Sequence, residues 1–526
     1  MGNLPTGMQD FKEIIENNYI YVDKTQYIHE IISTGKFYFL SRPRRFGKSL
    51  FLSTIEEVFR GNKELFKGLY IHDKWVLKES HPIIKLDFGE ISHDSSSNLR
   101  LSLIKFLNDT ANNENIELED IDLLPDKFSE LIKKLHDKTG KKVVILVDEY
   151  DKPIIKHLDN IDLAESNRDV LSSFYQVIKG NDKYLRFVFL TGVSKFSKTS
   201  IFSELNNLDD LTLDANFSNI CGYTQEELEN CFQQYIEEFS RDNNISRESL
   251  LEIIAIWYDG YSWDGSNSLY NPYSILLLFK KKEFNNYWFD TGSPTFLVDL
   301  IMSNPNNINT FLNPETKFTG SFPSFDFKKI DLITILLQSG YLTIKEKKAV
   351  IGKLPENFLD IPNKEVHDSF YSHLLSYFSS ESAESIQPMA EDMLKYIIDG
   401  DEGRLTKSFE ILLNNIPSVL HAKIEDINEA YYHLLFSSWL QILGFDVGNE
   451  DRSLGGDADS ILRVDDVVVI VEYKYSTKLS LDDMLEDGIN QIKNKGYYKS
   501  YNNKKLIFVS IATKPREVAC RIVKYN

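Results

Sequence analysis

The feature that most constrains the fold is a strand, a basic turn and a helix in immediate succession. Residues 36–41 form a short apolar strand, and an apolar-periodic helix runs to about Arg60. Between them lies the sequence Arg42-Pro43-Arg44-Arg45-Phe46-Gly47-Lys48-Ser49. A phosphate-binding loop needs N–H groups at a helix N-terminus, a Lys for the phosphates and a hydroxyl for Mg²⁺. Gly47, Lys48 and Ser49 supply these groups, although Arg42 stands where the usual pattern has its first Gly.

A buried strand that ends in two acids lies further along the chain. The apolar residues Val143–Val147 precede Asp148 and Glu149. In this arrangement the Asp holds Mg²⁺ through water and the Glu polarises the attacking water. Taken alone, the two motifs would also suit a basic helix cap and a solvated acidic turn. Together they predict an ATPase site with Ser49 and Asp148 at the metal.

Strands and helices alternate throughout the N-terminal part. Further buried strands are predicted at Ile83–Phe88 and Phe187–Thr191, and helical patterns separate them at Leu99–Asn108, Pro125–Asp137 and Asn167–Lys179. This alternation predicts a parallel sheet with right-handed crossovers. Thr191, at the end of its strand, either senses the γ-phosphate or is an ordinary strand-end Thr.

The bound nucleotide is predicted to be ATP. No Asn-Lys pair in the chain is followed by the Asp of an Asn-Lys-x-Asp guanine reader. Arg44 and Arg45 either pair with phosphate, act as an arginine finger in another subunit of a homo-oligomer, or remain solvated. Phe46 and Leu50 complete the candidate nucleotide-binding stretch.

The C-terminal part carries a second cluster of acids. Asp459 precedes a strand, and Glu472-Tyr473-Lys474 ends the apolar run Val467–Val471. Because alternate strand residues share a face, Glu472 and Lys474 should point the same way. Asp459 and Glu472 would then hold Mg²⁺, and Lys474 would stabilise the attacking hydroxide and the pentavalent phosphate of a phosphodiester cleavage. An exposed acidic turn is the alternative, and Asp457 is an alternative to Asp459.

Two flanking helices carry further candidate catalytic residues. Glu429, in the predicted helix 425–443, would add a carboxylate to the metal site. Gln491 lies in the predicted helix Leu481–Lys495, beside a basic face, and this helix stands between strands predicted at Val467–Tyr473 and Lys505–Ile511.

Long sequence strings resemble the bacterial AAA-ATPase-like proteins fused to a PD-(D/E)XK nuclease-like domain. The strings are Tyr21-Val22-Asp23-Lys24-Thr25, the stretch 41–50, Leu146–Asp151, Leu190–Phe196, Asp259-Gly260-Tyr261, Tyr270–Ser274 and Tyr287–Gly292, with Asn428–Tyr432, Asp459, Glu472-Tyr473-Lys474 and Gln491-Ile492-Lys493 in the C-terminal part. The resemblance implies that Arg42 is normal at its position and that a helical lid follows the ATPase core. The departure is Gly456-Asp457-Ala458-Asp459, where such proteins more often have Gly-Arg-x-Asp, so an acid replaces a base that would contact substrate phosphate.

The expected fold class is α/β, with four regions. An AAA-like P-loop ATPase domain with a parallel sheet spans 1–221, and a helical lid or winged-helix-like region spans 222–300. A connector spans 301–390, and a restriction-endonuclease-like α/β domain spans 391–526.

Charge and composition limit the partners. The chain has 59 Lys and Arg against 79 Asp and Glu, a formal net charge of −20, so any contact with nucleic acid must come from local basic patches. Three cysteines without metal-binding spacing fit a reducing compartment. No run is long and apolar enough for a membrane span, so we expect a cytoplasmic protein without a membrane partner.

The sequence therefore predicts a Mg²⁺-dependent ATPase whose nucleotide state controls a metal-dependent nuclease, with DNA favoured over RNA. The alternative is an ATP-dependent switch in which the nuclease fold only binds a partner, and the net charge of −20 favours it. A third hypothesis is a protein-remodelling ATPase with no nucleic-acid role.

Overall fold

The computed structural model describes most of the chain. The described residues are 2–75, 79–120, 123–158, 160–195, 207–288, 317–320, 331–370, 392–414, 459–464, 466–501, 504–515 and 517–525. They form two compact units. The first unit comprises the described residues of Met1–Thr291 and Lys317–Glu365, and the second comprises the described residues of Val366–Asn526.

A five-stranded parallel sheet forms the centre of the first unit among the described residues. Its strands are β1 (Phe37–Ser41), β2 (Ile83–Asp87), β3 (Val143–Asp148), β4 (Leu185–Gly192) and β5 (Asp209–Asp210). Their order is β2-β3-β4-β1-β5, and every pairing is parallel. Every residue of β1 and β3 is buried, as expected for strands covered by helices on both faces. The predicted parallel sheet is therefore confirmed.

Helices surround this sheet and connect its strands. They are Phe11–Glu16, Thr25–Thr34, Lys48–Arg60, Tyr70–Asp73, Ser96–Asn113, Leu124–Thr139, Lys152–Ile155 and Ile161–Gly180. The helix Lys48–Arg60 starts directly after the basic turn and buries an apolar stripe that includes Phe51, Leu52 and Ile55. The helices predicted at 99–108, 125–137 and 167–179 are confirmed, and each is longer than the apolar pattern indicated.

A helical region with its own core follows within the first unit. Its helices are Gln225–Cys231, Gln233–Asn243, Arg247–Tyr258 and Pro272–Lys281, and Leu332–Ser339 lies further along the chain. Thr224 and Glu227 form a capping box at the start of the first of these helices. The strands β6 (Lys317–Thr319), β7 (Thr343–Lys348) and β8 (Glu356–Asp360) form an antiparallel sheet in the order β6-β8-β7.

The second unit contains a mixed sheet in the order β12-β11-β10-β9. Its elements are the helix Glu402–Asn414, β9 (Ser460–Val464), β10 (Val467–Tyr475), the helix Leu481–Lys495, β11 (Lys505–Lys514) and β12 (Glu517–Tyr525). The parallel pair β10 and β11 is joined by the helix Leu481–Lys495, which packs on both strands. Strands β9, β10 and β11 and this helix confirm the prediction, whereas β12 was not predicted. No described helix is long and apolar enough to cross a membrane.

Candidate functional site

The basic turn between β1 and the helix Lys48–Arg60 has an unusual backbone. Gly47 has φ of +90° and Arg45 has φ of +68°, both in the left-handed region. A Cβ added at Gly47 would meet no heavy atom of the described residues within 4 Å, so the turn is open at this point. An open turn with a Gly at the helix N-cap is the local geometry that a phosphate group requires.

Lys48 lies at the first position of the helix and folds back over the turn. Its Nζ donates to the carbonyl oxygens of Arg42 and Pro43, at 2.9 Å each. Burial lowers the pKa of Lys48, and Asp148 is the acid that most opposes this shift. Ser49 is half-buried in the same helical turn. The structure therefore brings Lys48 and Asp148 to one edge of the sheet.

Asp148 and Thr191 meet at the ends of neighbouring strands. Asp148 ends β3, Thr191 lies near the end of β4, and Thr191 Oγ1 donates to Asp148 Oδ1 at 2.5 Å. Strand β4 lies between β3, which ends in Asp148, and β1, which the basic turn follows. Thr191 therefore lies between Asp148 and the basic turn. Both side chains are buried. The two side chains therefore meet at the carboxyl ends of β3 and β4.

Glu149 lies beside Asp148 but its carboxylate has a different partner. The Glu149 backbone has φ of +51°, and its N–H donates to Asp148 Oδ1 at 3.0 Å. Lys152 Nζ lies 2.6 Å from Glu149 Oε2. To polarise a water molecule, the Glu149 carboxylate would have to use its other oxygen or break its ion pair with Lys152.

The remaining predicted residues of the turn divide into exposed and buried ones. Arg44 and Arg45 are exposed, and the Arg45 guanidinium lies 4.6 Å from the Tyr273 ring centroid. Phe46 is fully buried and contacts Tyr261 edge to face, with ring centroids 4.8 Å apart. Leu50 is half-buried, and its carbonyl accepts from Thr54, which keeps it within the helix. Phe46 therefore anchors the turn, while the two arginines stay accessible.

Arg42 has a structural role that the sequence analysis did not assign. It is fully buried, and its guanidinium donates to the carbonyls of Ser41 and Thr212 at 2.9 Å each and to that of Phe217 at 3.2 Å. The same guanidinium lies 4.1 Å from the Trp263 ring centroid. The signal for this role was the position itself, a basic residue where the usual pattern has Gly.

Asp151 is a second residue whose role was missed. It is buried, and its carboxylate accepts from the N–H groups of Val193 and Ser194 at 3.0 and 2.6 Å. Burial raises the pKa of Asp151 to about 6. Asp151 therefore ties the segment after β3 to the segment after β4.

The C-terminal cluster lies on β10. Glu472 and Lys474 share a face, as predicted, and Lys474 Nζ lies 3.5 Å from Glu472 Oε1. Glu472 is 2% exposed, and its Oε2 has no hydrogen-bond partner among the described residues. A buried carboxylate oxygen without a partner is costly unless a cation or proton satisfies it.

Asp459, the residue directly before β9, lies near the Glu472 carboxylate. Its Oδ2 accepts from the Tyr473 N–H at 2.8 Å, which fixes it beside β10. Burial first, and then the charge of Asp459, raise the pKa of Glu472 to about 8. Two neighbouring carboxylates that repel each other, one of them buried, suit a divalent cation, which would neutralise both.

Gln491 forms hydrogen bonds with both Lys474 and Glu472. Its side-chain amide donates to Glu472 Oε1, and its Oε1 accepts from Lys474 Nζ at 2.5 Å. The structure thus brings together Asp459, Glu472, Lys474 and Gln491. Glu429 and Asp457 lie outside the described residues.

Comparison with known proteins gives matches in both units. Residues 5–202 match the family model described as a predicted AAA-ATPase, and residues 427–522 match that of the PD-(D/E)XK nuclease superfamily. A protein of Azotobacter chroococcum mcd 1, described as an uncharacterized protein in the vnfD 5' region, is 37% identical over 501 residues. This similarity covers 95% of the chain and 93% of the relative.

These matches confirm the resemblance and the α/β fold class predicted from the sequence. The chain belongs to the family in which a predicted AAA-ATPase domain is joined to a domain of the PD-(D/E)XK nuclease superfamily.

Proposed function

We propose that the chain is a Mg²⁺-dependent ATPase whose nucleotide state controls a metal-dependent nuclease that cleaves DNA. The observation that carries the nuclease half is the carboxylate pair formed by the buried Glu472 and the half-buried Asp459. Within the described part of the chain, Glu472 has an unpartnered oxygen next to the charge of Asp459, and Lys474 lies 3.5 Å from the same group. This donor set fits a hard divalent cation.

The ATPase half rests on the geometry around the open turn at Gly47. Lys48 would exchange its two loop carbonyls for phosphate oxygens, and Ser49 and Asp148 would hold Mg²⁺. Thr191 would change its contact with Asp148 when the γ-phosphate is present. At either site, bound Mg²⁺ would supply positive charge for phosphoryl oxygens.

Within the nuclease half, the residues divide the work between binding and chemistry. Asp459 and Glu472 hold the cation, with Glu429 as a further proposed carboxylate. Lys474 places a positive charge where negative charge develops on the phosphate. Gln491 fixes the relative positions of Lys474 and Glu472 through its two hydrogen bonds.

We further propose the assignments that follow from this function. The domain boundaries are 1–221, 222–300, 301–390 and 391–526, and the protein is cytoplasmic. DNA is favoured over RNA as the substrate. Arg44 and Arg45 are exposed and available to a neighbouring subunit in a homo-oligomer.

A second function is favoured by the charge of the chain. The formal net charge of −20 repels nucleic acid, and Asp457 stands where related proteins more often have Arg. In this alternative, ATP switches the conformation and the nuclease fold binds a partner without cleaving it.

ATP binding and hydrolysis by full-length variants test the ATPase half. Lys48→Ala should abolish binding of a fluorescent ATP analogue, while Glu149→Gln should bind it and hydrolyse ATP at least 10²-fold more slowly, a barrier change of about 2.7 kcal/mol. Lys63→Ala, which replaces an exposed lysine, is the control and should behave as the parent. A Lys48→Ala protein that binds like the parent would disprove the phosphate-loop assignment.

A further inference from the structure

Two histidines and an aspartate meet in the first unit, outside both sites described above. His93 lies in the segment after β2, and His157 follows the short helix Lys152–Ile155. His93 Nδ1 lies 2.9 Å from His157 Nε2, and the two rings are nearly perpendicular. One nitrogen of each ring and a carboxylate oxygen of Asp94 form a group whose atoms all lie within 4.8 Å of one another. In the described part of the chain, no other group of three such residues is this close.

The two histidine-bearing segments are held together by a contact that does not involve the imidazoles. Asn167, buried in the helix Ile161–Gly180, donates from its side-chain amide to the carbonyls of His93 and Pro153, at 3.0 and 2.8 Å. One amide therefore crosslinks both backbones. This crosslink fixes the backbones that carry the two rings. A ligand that binds both rings therefore loses little conformational entropy in ordering them.

The chemistry of the group selects its ligand. Two imidazole nitrogens and one carboxylate are the donors that Zn²⁺, Co²⁺ and Ni²⁺ prefer, whereas Mg²⁺ prefers oxygen donors alone. Zinc–nitrogen bonds of about 2.0–2.1 Å place two nitrogens roughly 3.4 Å apart in a tetrahedral site. The observed separation of 2.9 Å requires only a small outward shift of one ring.

The surroundings of the group indicate that a bound ion would exchange with ions in the solvent. His93 is buried, but His157 is half-buried and Asp94 is exposed, which gives the ion a route from solvent. Lys152 and Lys156 oppose a cation here, since their charges act on His93, while the charge of Asp94 favours it. Three protein ligands leave one position for water, unlike the four ligands of a closed structural site.

We propose that His93, His157 and Asp94 form a reversible binding site for a Zn²⁺-class transition-metal ion, separate from the two proposed Mg²⁺ sites. The ion replaces the hydrogen bond between the two rings and joins the segment after β2 to the segment after β3.

Zn²⁺ titration of the full-length protein by calorimetry tests this site. The titration is carried out in excess Mg²⁺, which occupies the oxygen-donor sites. The parent should bind one more equivalent of Zn²⁺ than His157→Gln. His72→Gln is the matched control, because His72 also lies next to an aspartate, Asp73, and should keep the parent stoichiometry. Equal stoichiometry for the parent and His157→Gln would overturn the proposal.

A second measurement identifies the donors and covers a variant that does not fold. Co²⁺ bound to the parent should give the visible absorption of a four-coordinate site with nitrogen ligands. Asp94→Asn changes an exposed residue, should fold, and should weaken Co²⁺ binding at least tenfold. An Asp94→Asn protein that binds Co²⁺ as tightly as the parent, or a parent without this absorption, would overturn the proposal. Neither result depends on ATPase or nuclease activity.

Discussion

Replacing Glu472 by Gln should stabilise the metal-free protein, although the same change should remove a proposed metal ligand. The carboxylate is buried near Asp459, and burial and that charge raise its pKa from 4.5 to about 8. A carboxylate whose pKa is raised on folding binds more protons in the folded state. The free energy of unfolding of the parent therefore falls as the pH rises from 4.5 towards 8. Glu472→Gln, whose side chain is neutral, does not show this loss.

The size of the effect follows from the two pKa values. At pH 7 the carboxylate is ionised in the unfolded protein and mostly protonated in the folded protein. At 1.36 kcal/mol for each pH unit above the unfolded pKa, the free energy of unfolding is about 3 kcal/mol lower than at low pH. In Glu472→Gln the new amide oxygen can still accept the hydrogen bond that Gln491 donates to Glu472 Oε1 in the parent. At pH 5 the same calculation gives less than ~1 kcal/mol, because the pH is then close to the unfolded pKa.

Hydrogen exchange measured by mass spectrometry is the suitable assay, because a chain with two units need not unfold in one step. With EDTA at pH 7, peptides from β10 and β11 of Glu472→Gln should exchange about 100-fold more slowly than those of the parent. Asp487→Asn removes a neighbouring but exposed charge near Lys474, and should change exchange little. Equal exchange of Glu472→Gln and the parent, or a difference that persists at pH 5, would refute the reasoning.

Two further predictions concern the first unit. Lys24→Met should cost about 3 kcal/mol or more, since Glu227 loses the partner 2.7 Å away, and Lys24→Met/Glu227→Gln should recover part of this loss. Hydrogen exchange of peptides from the first unit measures both variants, and equal exchange of Lys24→Met and the parent would contradict the predicted loss of stability. Gly192→Ala should cost ~2 kcal/mol, because the new Cβ would lie 2.5 Å from the Tyr150 ring, whereas Gly180→Ala meets no described atom within 4 Å and should be neutral or stabilising. Similar hydrogen exchange in the first unit of the two alanine variants would argue against this close packing.

The parts of the structure that depend on local sequence were predictable. Apolar runs predicted β3, β10 and β11, and the period of two placed Glu472 and Lys474 on one face. The helix Leu481–Lys495 was predicted with its observed bounds. These features follow from patterns within about 15 residues, where side-chain period and strand length decide the element.

Features that depend on distant contacts were not predictable. The Arg42 guanidinium donates to carbonyls 170 and 175 residues away, and Lys24 pairs with an acid 203 residues away. Nothing in the sequence beside either residue indicates its partner. Strand β12 was missed because Arg521 and Lys524 interrupt its sequence, so that its apolar residues form only the short segments Val518–Cys520 and Ile522-Val523.

The Glu149 carboxylate shows a further limit of sequence patterns. Its position after β3 fits a residue that polarises water, yet Lys152 holds it at 2.6 Å. A motif gives the residue type and the strand end, but the side-chain partner depends on the turn that follows.

Cleavage of labelled double-stranded DNA by the full-length protein tests the central claim most directly. With ATP and Mg²⁺ or Mn²⁺, the parent should cut the DNA, and Lys48→Ala should change the rate by removing control by ATP. Asp459→Ala should abolish cleavage, while Asp457→Ala should retain most of it. A parent that cuts neither DNA nor RNA under these conditions, or an Asp459→Ala protein that cuts like the parent, would contradict the account.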